Sequence, residues 1–262
     1  MTRLLITALC LLGFAAQAQP DDKQLARVDF EQRLGSPLPL DTAWRDEAGR
    51  PVRLGSCFGT RPVILAFAYY DCPSLCTLVL NGILNSVRDL RADAGQGFDI
   101  VVLSIRPDEP ASHAQAKKQT YTLRYGRPGA AKGWHFLTGD AAAIRQVTQA
   151  AGFHYLYDPA SDQFAHASGI LVLTPNGKAA RYFMGIEYPP KDLRQALTEA
   201  SQHRIGSLAQ RLLLLCFHYN PLTGRYGLLI TRVVQAAGIG TVLLLGGLML
   251  RLNRQAGRRQ AP

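Results

Sequence analysis

Apolar and polar positions along the chain alternate between the patterns of buried strands and of amphipathic helices. Two continuous apolar runs, PVILAFAYY (62–70) and FDIVVLSI (98–105), predict strands that are buried on both faces. Helical spacing follows each run, over residues 76–90 and 111–125. The remaining predicted elements are short strands at 49–54 and 134–139, helices at 141–152 and 189–201, and a hairpin at 169–185. This alternation predicts an α/β domain with a mixed central sheet.

The first residues have the pattern of a secretory signal peptide. Arg3 precedes an apolar run from Leu4 to Ala16, and the segment ends in AQA, small residues of the kind a signal peptidase recognises. We expect residues 1–18 to be removed, so that the mature chain begins near Gln19. The exported domain would then cover residues 19–205, which is enough chain to bury a core.

A second apolar run predicts a membrane span near the other end of the chain. Residues 233–250 carry no charge, and as a helix they would extend about 27 Å, close to the hydrocarbon thickness of a bilayer. Four arginines follow the run, which by the positive-inside rule places the C-terminus in the cytoplasm. A buried core helix is the alternative. The predicted order is a juxtamembrane linker at 206–227, a transmembrane helix at 228–252 and a cytoplasmic basic tail at 253–262.

This topology predicts a single-pass protein of the inner membrane, anchored by the C-terminal helix, with its functional domain on the periplasmic side. The formal net charge of +10 partly reflects the two ends, because five of the arginines lie there. Basic and aromatic residues do not interleave elsewhere, so we expect no nucleic-acid partner.

The stretch YYDCPSLC (69–76) carries the most chemistry. Cys72 follows the first buried strand, and Cys76 falls in the first turn of the next helix. Pro73 suits a helix start, where backbone N–H groups stabilise a thiolate, so we expect Cys72 to be reactive. Two cysteines at this spacing can form a disulfide or can point at one ion. A permanent structural disulfide is the alternative for an exported protein.

These residues resemble the Sco/SenC family, membrane-anchored copper proteins that serve cytochrome c oxidase assembly. FAYYDCPSLC (67–76) is similar to the family's paired-cysteine site, and FAHASGILVLTPNGKAARYFMG (164–185) to its segment with a histidine before a strand and hairpin. The resemblance covers roughly residues 35–202 and implies a thioredoxin-like fold. It also implies copper, as Cu(I) or Cu(II), bound by Cys72, Cys76 and His166, and a redox-active pair, Cys72 and Cys76, that can form a disulfide. The implied partner is the copper-bearing subunit of cytochrome c oxidase or another copper protein.

Two positions depart from the family's pattern. Many members carry Asp directly before the histidine, where this chain has Ala165 and the nearest acid is Asp162. Arg106 stands where an Asp is common. We expect both differences to change the surroundings of the site rather than its donors. Two thiolates and an imidazole suit copper, whereas structural zinc normally needs a fourth protein ligand.

Two other functions use the same cysteines. A thiol–disulfide oxidoreductase would react by exchange through a mixed disulfide, but the cysteine spacing is one residue longer than in thioredoxins and FAHASG lacks their proline. A peroxidase of the peroxiredoxin type is disfavoured by Tyr69 and Pro73. Whether the protein is an enzyme therefore stays open. We expect the other cysteines and histidines to be solvated, hydrogen-bonded or packed in the protein: Cys57, His113, His135, His154, His203, Cys216 and His218. For Cys216 and His218 the alternative is a second metal site with soft donors.

Overall fold

The computed structural model describes residues 28–72 and 75–206, with 219–220, 225–226, 235, 238–243, 245–246 and 251. The strands of the main domain are β1 Asp29–Phe30, β2 Ala43–Arg45, β3 Pro51–Arg53, β4 Val63–Ala68, β5 Asp99–Ser104, β6 Trp134–Gly139, β7 Phe153–Asp158, β8 Gln163–His166, β9 Gly169–Leu173 and β10 Ala179–Met184. Its α-helices are α1 Leu75–Arg88, α2 Ala111–Tyr125, α3 Ala130–Gly133, α4 Ala141–Ala151 and α5 Pro190–Ser201. A 3₁₀ turn covers Leu54–Cys57, and the two short strands β11 Tyr219–Asn220 and β12 Arg225–Tyr226 pair with each other.

A mixed sheet forms the centre of the described residues, with seven strands in the order β10-β9-β4-β5-β6-β2-β3. Strands β4, β5 and β6 run parallel and are joined by helical crossovers, while β9 runs antiparallel to β4. Every residue of β4 and β5 is buried, as expected for uninterrupted apolar runs covered on both faces. The predicted α/β domain with a mixed central sheet is confirmed.

A smaller sheet, β1-β7-β8, lies outside the central one. Strands β7 and β8 form an antiparallel hairpin in which Tyr155 pairs with His166. The apolar and polar pattern did not predict this hairpin, because its aromatic residues are mostly half-buried rather than strictly alternating. Its second strand ends at His166, shortly before β9 enters the central sheet.

Helix α1 carries Cys76 and packs closely against the segment after β10. A Cβ atom on Gly82 would lie 2.0 Å from the carbonyl oxygen of Ile186, so only glycine permits this approach. One turn further along, the Ser86 hydroxyl donates to the carbonyl of Tyr188. These contacts fix the position of the helix, and with it the position of Cys76.

Helix α4 follows from local chemistry, and its prediction is confirmed. The Asp140 carboxylate accepts the backbone N–H groups of Ala142 and Ala143 at 2.9 and 2.7 Å. Gly152 ends the helix in the left-handed conformation at φ 71°.

The predicted transmembrane helix at 228–252 is wrong. Among the described residues, no helix is long and apolar enough to cross a membrane. The predicted signal peptide (1–18), the basic tail (253–262), most of the predicted linker (206–227), Cys216 and His218 lie outside the described residues.

Candidate metal centre

The sheet topology brings the two parts of the predicted site to one edge. Cys72 follows β4, and β9 runs antiparallel to β4 with Ala66 opposite Ile170. The start of β9 therefore lies at the same edge as the end of β4. His166 ends β8, three residues before the start of β9, so it lies beside the cysteine turn although 90 residues separate it from Cys76.

Cys76 and His166 are in direct contact. The Cys76 Sγ atom lies 3.3 Å from His166 Nε2, and it accepts the backbone N–H of Tyr69 at 3.4 Å. Both side chains are buried, with 2 % of Cys76 and 8 % of His166 exposed. Cys72 is also buried and is hydrogen-bonded to Cys76. The structure holds both cysteines as thiols.

The imidazole of His166 is oriented by its second nitrogen. Nδ1 lies 2.9 Å from the carbonyl oxygen of Ala167, and because a carbonyl can only accept, Nδ1 must carry the proton. In the neutral ring Nε2 then presents its lone pair towards Cys76. The rings of Phe153 and Tyr69 pack against the imidazole, at centroid distances of 5.8 and 6.4 Å.

Burial and hydrogen bonding with Cys72 raise the pKa values of two side chains at the cysteine turn. The pKa of Cys76 is raised, first by its hydrogen bond with Cys72 and then by burial. Burial, followed by a hydrogen bond with Cys72, raises the pKa of Tyr69. Cys76 therefore keeps its proton at neutral pH, and a metal that takes it as a thiolate must displace that proton.

The three predicted donors are adjacent in pairs, Cys72 with Cys76 and Cys76 with His166. Within the part of the chain that the structure describes, no group of three or more His, Cys, Asp or Glu side chains is arranged to hold a metal ion. Residues 73–74, which connect the cysteines, lie outside that part. The donor chemistry fits a soft ion, because two sulfur atoms adjoin an imidazole nitrogen whose ring is already oriented.

A buried carboxylate that the sequence analysis missed supports the cysteine turn. Glu109 accepts the backbone N–H groups of Tyr70 and Asp71 at 2.7 and 3.0 Å. The Ser104 hydroxyl donates to its second oxygen at 2.5 Å. The only trace of this role in the sequence is an acid in RPDEP, between a buried strand and a helix.

Arg106, one of the two departures from the family's pattern, pairs with Asp162, the acid nearest to the other departure at Ala165. The Arg106 guanidinium donates to both carboxylate oxygens of Asp162, at 2.6 Å each. The Tyr157 hydroxyl also donates to Asp162, at 2.8 Å, and Arg106 lies over the Phe164 ring. These hydrogen bonds, from Tyr157 first and then Arg106, lower the pKa of Asp162. They join the β7–β8 hairpin to the segment after β5.

The other residues singled out by the sequence lie apart from these donors. Cys57 is a buried thiol, as predicted, and burial raises its pKa to about 11. His113 lies 3.5 Å from Glu109 and His154 lies 3.7 Å from Glu31. Burial lowers the pKa of His135, and His203 is exposed.

Known proteins resemble this chain in sequence and in fold. The SCO1/SenC family model matches residues 43–202. Protein SCO2 homolog, mitochondrial, of Bos taurus is 25% identical over 194 residues, which cover 70% of this chain and 69% of that protein. A candidate electron transfer protein of Aquifex aeolicus VF5 is 22% identical with a TM-score of 0.57, covering 66% of this chain and 96% of that one.

Arabidopsis thaliana ScoI, solved with copper bound, is 15% identical with a TM-score of 0.50, covering 65% of this chain and 99% of that one. These two structures establish a shared fold, and the thioredoxin-like arrangement that the resemblance implied is confirmed. The family model matches more than half of the chain. The chain therefore belongs to the SCO1/SenC family.

Proposed function

We propose that this protein binds copper through Cys72, Cys76 and His166 and delivers it to cytochrome c oxidase or another copper protein. The observation that carries the proposal is the 3.3 Å contact between Cys76 Sγ and His166 Nε2, with Nδ1 turned to the Ala167 carbonyl. Metal-binding histidines commonly donate their other ring N–H to a carbonyl in this way. The Sco/SenC resemblance supports the same donors, and the relative from Arabidopsis thaliana is named as copper-bound.

Copper is cargo in this proposal. Two thiolates and one imidazole are soft to borderline donors, which suit Cu(I) and can also hold Cu(II). The cysteines must release their protons to bind it, and the dithiol rather than the disulfide is the competent form. A site with three protein donors leaves room for a ligand of the acceptor protein, so copper can pass by exchange of ligands.

A second function is favoured by the hydrogen bond between Cys72 and Cys76. Two thiols this close can act as a thiol–disulfide oxidoreductase. Their oxidation forms one sulfur–sulfur bond and releases two protons and two electrons, which reduce a disulfide of the substrate to two thiols. A suitable substrate is a copper site whose cysteines must be reduced before they accept metal.

His166→Ala separates the two functions. We expect this variant to lose the thiolate–copper(II) absorption and to hold Cu(I) less tightly, while Cys72 and Cys76 still oxidise as in the parent. His154→Ala is the matched control, because His154 lies on the same hairpin with its side chain 41 % exposed and faces Glu31. If His166→Ala binds both copper states like the parent, the imidazole is not a ligand, and the oxidoreductase becomes the better proposal.

We also infer that the domain works outside the cytoplasm, because residues 1–18 have the pattern of a cleaved secretory signal. Mass spectrometry of the protein purified from its own cells should find a chain that begins near Gln19. An intact Met1 would contradict export by this route.

A further inference from the structure

The two halves of the site are both held by the short segment that follows β5, residues 105–110, called here the brace segment. We propose that Glu109 and Arg106 of this segment are positioning residues. Glu109 holds the backbone directly before Cys72, Arg106 holds the β7–β8 hairpin that carries His166, and together they keep the two parts of the site in place relative to each other. The proposal rests on the proposed function, in which Cys72, Cys76 and His166 act as one site.

Glu109 holds the cysteine half. Its side chain is completely buried, and its carboxylate accepts the N–H groups of Tyr70 and Asp71, the two residues directly before Cys72. A buried N–H group without an acceptor is costly, so this carboxylate fixes the path by which the chain enters the turn. The Ser104 hydroxyl holds the other oxygen and so fixes the carboxylate itself.

Arg106 holds the histidine half. One nitrogen of its guanidinium donates to both carboxylate oxygens of Asp162, which lies at the turn between β7 and β8, four residues before His166. Asp162 has a φ of 53°, a left-handed turn conformation that Asp adopts more readily than most residues other than glycine, and Arg106 and Tyr157 both donate to its carboxylate there. The contact of Arg106 with the Phe164 ring reaches the strand that carries His166.

The brace segment is itself tied to the central sheet. The N–H of Ile105 donates to the carbonyl of Ala68 at 2.8 Å, which continues the pairing of β5 with β4. Arg106 and Glu109 are three residues apart on this backbone, so donors 90 residues apart in the chain are positioned from one place.

Glu109→Ala tests the cysteine half. The variant leaves two backbone N–H groups without their acceptor, and we expect Cu(I) affinity to fall about tenfold. The equilibrium constant for Cys72–Cys76 disulfide formation, measured in glutathione buffer without copper, should change by a similar factor, about 30 mV in potential. Glu109→Gln retains one carbonyl oxygen for both N–H groups and should restore most of each value.

Glu47→Ala is the matched control for the cysteine half. Glu47 is also a largely buried carboxylate that accepts a backbone N–H, that of Phe136 at 2.8 Å, but it contacts neither half of the site. We expect it to leave the copper affinity and the disulfide equilibrium unchanged. Equal effects of Glu47→Ala and Glu109→Ala would mean that Glu109 acts only through general stability, and would overturn its positioning role.

Charge reversal tests the histidine half. Arg106→Asp places like charges together, and we expect hydrogen exchange of the β8 amides to become about tenfold faster, with weaker thiolate–copper(II) absorption. Arg106→Asp combined with Asp162→Arg should restore both values. Arg145→Ala, which removes a nearby arginine outside the pair, should change neither.

Failure of the double variant to restore the exchange rates would overturn the role of Arg106. The disulfide equilibrium and the hydrogen exchange are measured without copper, so they decide the positioning proposal by themselves. A parent protein that binds no copper, but whose Glu109 and Arg106 variants shift these two values as expected, would refute the copper function and leave the positioning roles supported.

Discussion

Replacing Phe153 with alanine should destabilise the domain and disturb the metal centre at the same time. The Phe153 side chain is 2 % exposed and lies at the start of the hairpin that carries His166. Its ring stacks on Phe67 at a centroid distance of 4.6 Å and meets Phe30 edge-on at 5.1 Å. It also packs against His166 at 5.8 Å. Truncation to alanine therefore removes one of the rings that pack against the His166 imidazole.

The expected loss of stability follows from these contacts. A buried Phe-to-Ala change costs about 3–5 kcal/mol, because the removed atoms leave a cavity. Aromatic pairs add about 0.5–1.5 kcal/mol each beyond their buried area. Phe153 makes several such pairs, so we expect its loss to be about 4–5 kcal/mol, near the upper end of that range. Phe153→Leu retains most of the volume and should cost clearly less.

Urea unfolding of the reduced protein measures this loss, and Phe136→Ala provides the control. Phe136 is 0 % exposed and stacks on Trp134 in β6, and its ring contacts Tyr70 at 5.8 Å, whereas the ring of Phe153 contacts His166 itself. Both variants should lose similar stability, but only Phe153→Ala should weaken the thiolate–copper(II) absorption. A loss below about 2 kcal/mol for Phe153→Ala, or equal loss of absorption in both variants, would refute the reasoning.

Three further changes probe other parts of the domain. Gly82→Ala should destabilise the domain by about 3 kcal/mol in urea unfolding, because its Cβ would lie 2.0 Å from the Ile186 carbonyl oxygen. A gain in stability, as is usual when alanine replaces glycine within a helix, would contradict this packing. Asp140→Ala should cost about 1 kcal/mol in thermal unfolding and Asp140→Asn much less, whereas equal costs would argue against the cap. The raised pKa of Cys57 means that the folded state favours the protonated thiol. The stability that Cys57 contributes to the folded state is therefore complete below pH 9.0 and is lost as the pH rises towards about 11. Cys57→Ala should therefore lose less stability than the parent across that interval, and identical losses would contradict the burial of a protonated thiol.

Much of the fold could be predicted because its determinants are local. Strands β4 and β5 are buried on both faces, so their sequences are continuous apolar runs that identify them. Helix α4 carries its own start and end signals in Asp140 and Gly152. The position of Cys72 after a buried strand, with Cys76 in the first helical turn, follows from the same patterns.

The rest of the site depends on contacts between distant parts of the chain. Glu109 lies 39 residues from the Tyr70 N–H that it accepts, and nothing near it in sequence marks that role. The hairpin of β7 and β8 is stabilised by Phe30 and Arg106, so its own residues give only a weak strand pattern. His166 could be placed beside Cys76 only through the family resemblance. The transmembrane prediction was wrong, since no helix among the described residues is long and apolar enough to cross a membrane.

The measurement that tests the copper proposal most directly is X-ray absorption at the copper edge on the reduced, Cu(I)-loaded full chain. The proposal predicts two sulfur neighbours and one nitrogen neighbour around copper in the parent. It also predicts that His166→Ala loses the nitrogen while His154→Ala retains it. A copper spectrum with sulfur neighbours alone in the parent, or with the nitrogen unchanged in His166→Ala, would contradict the three-donor site.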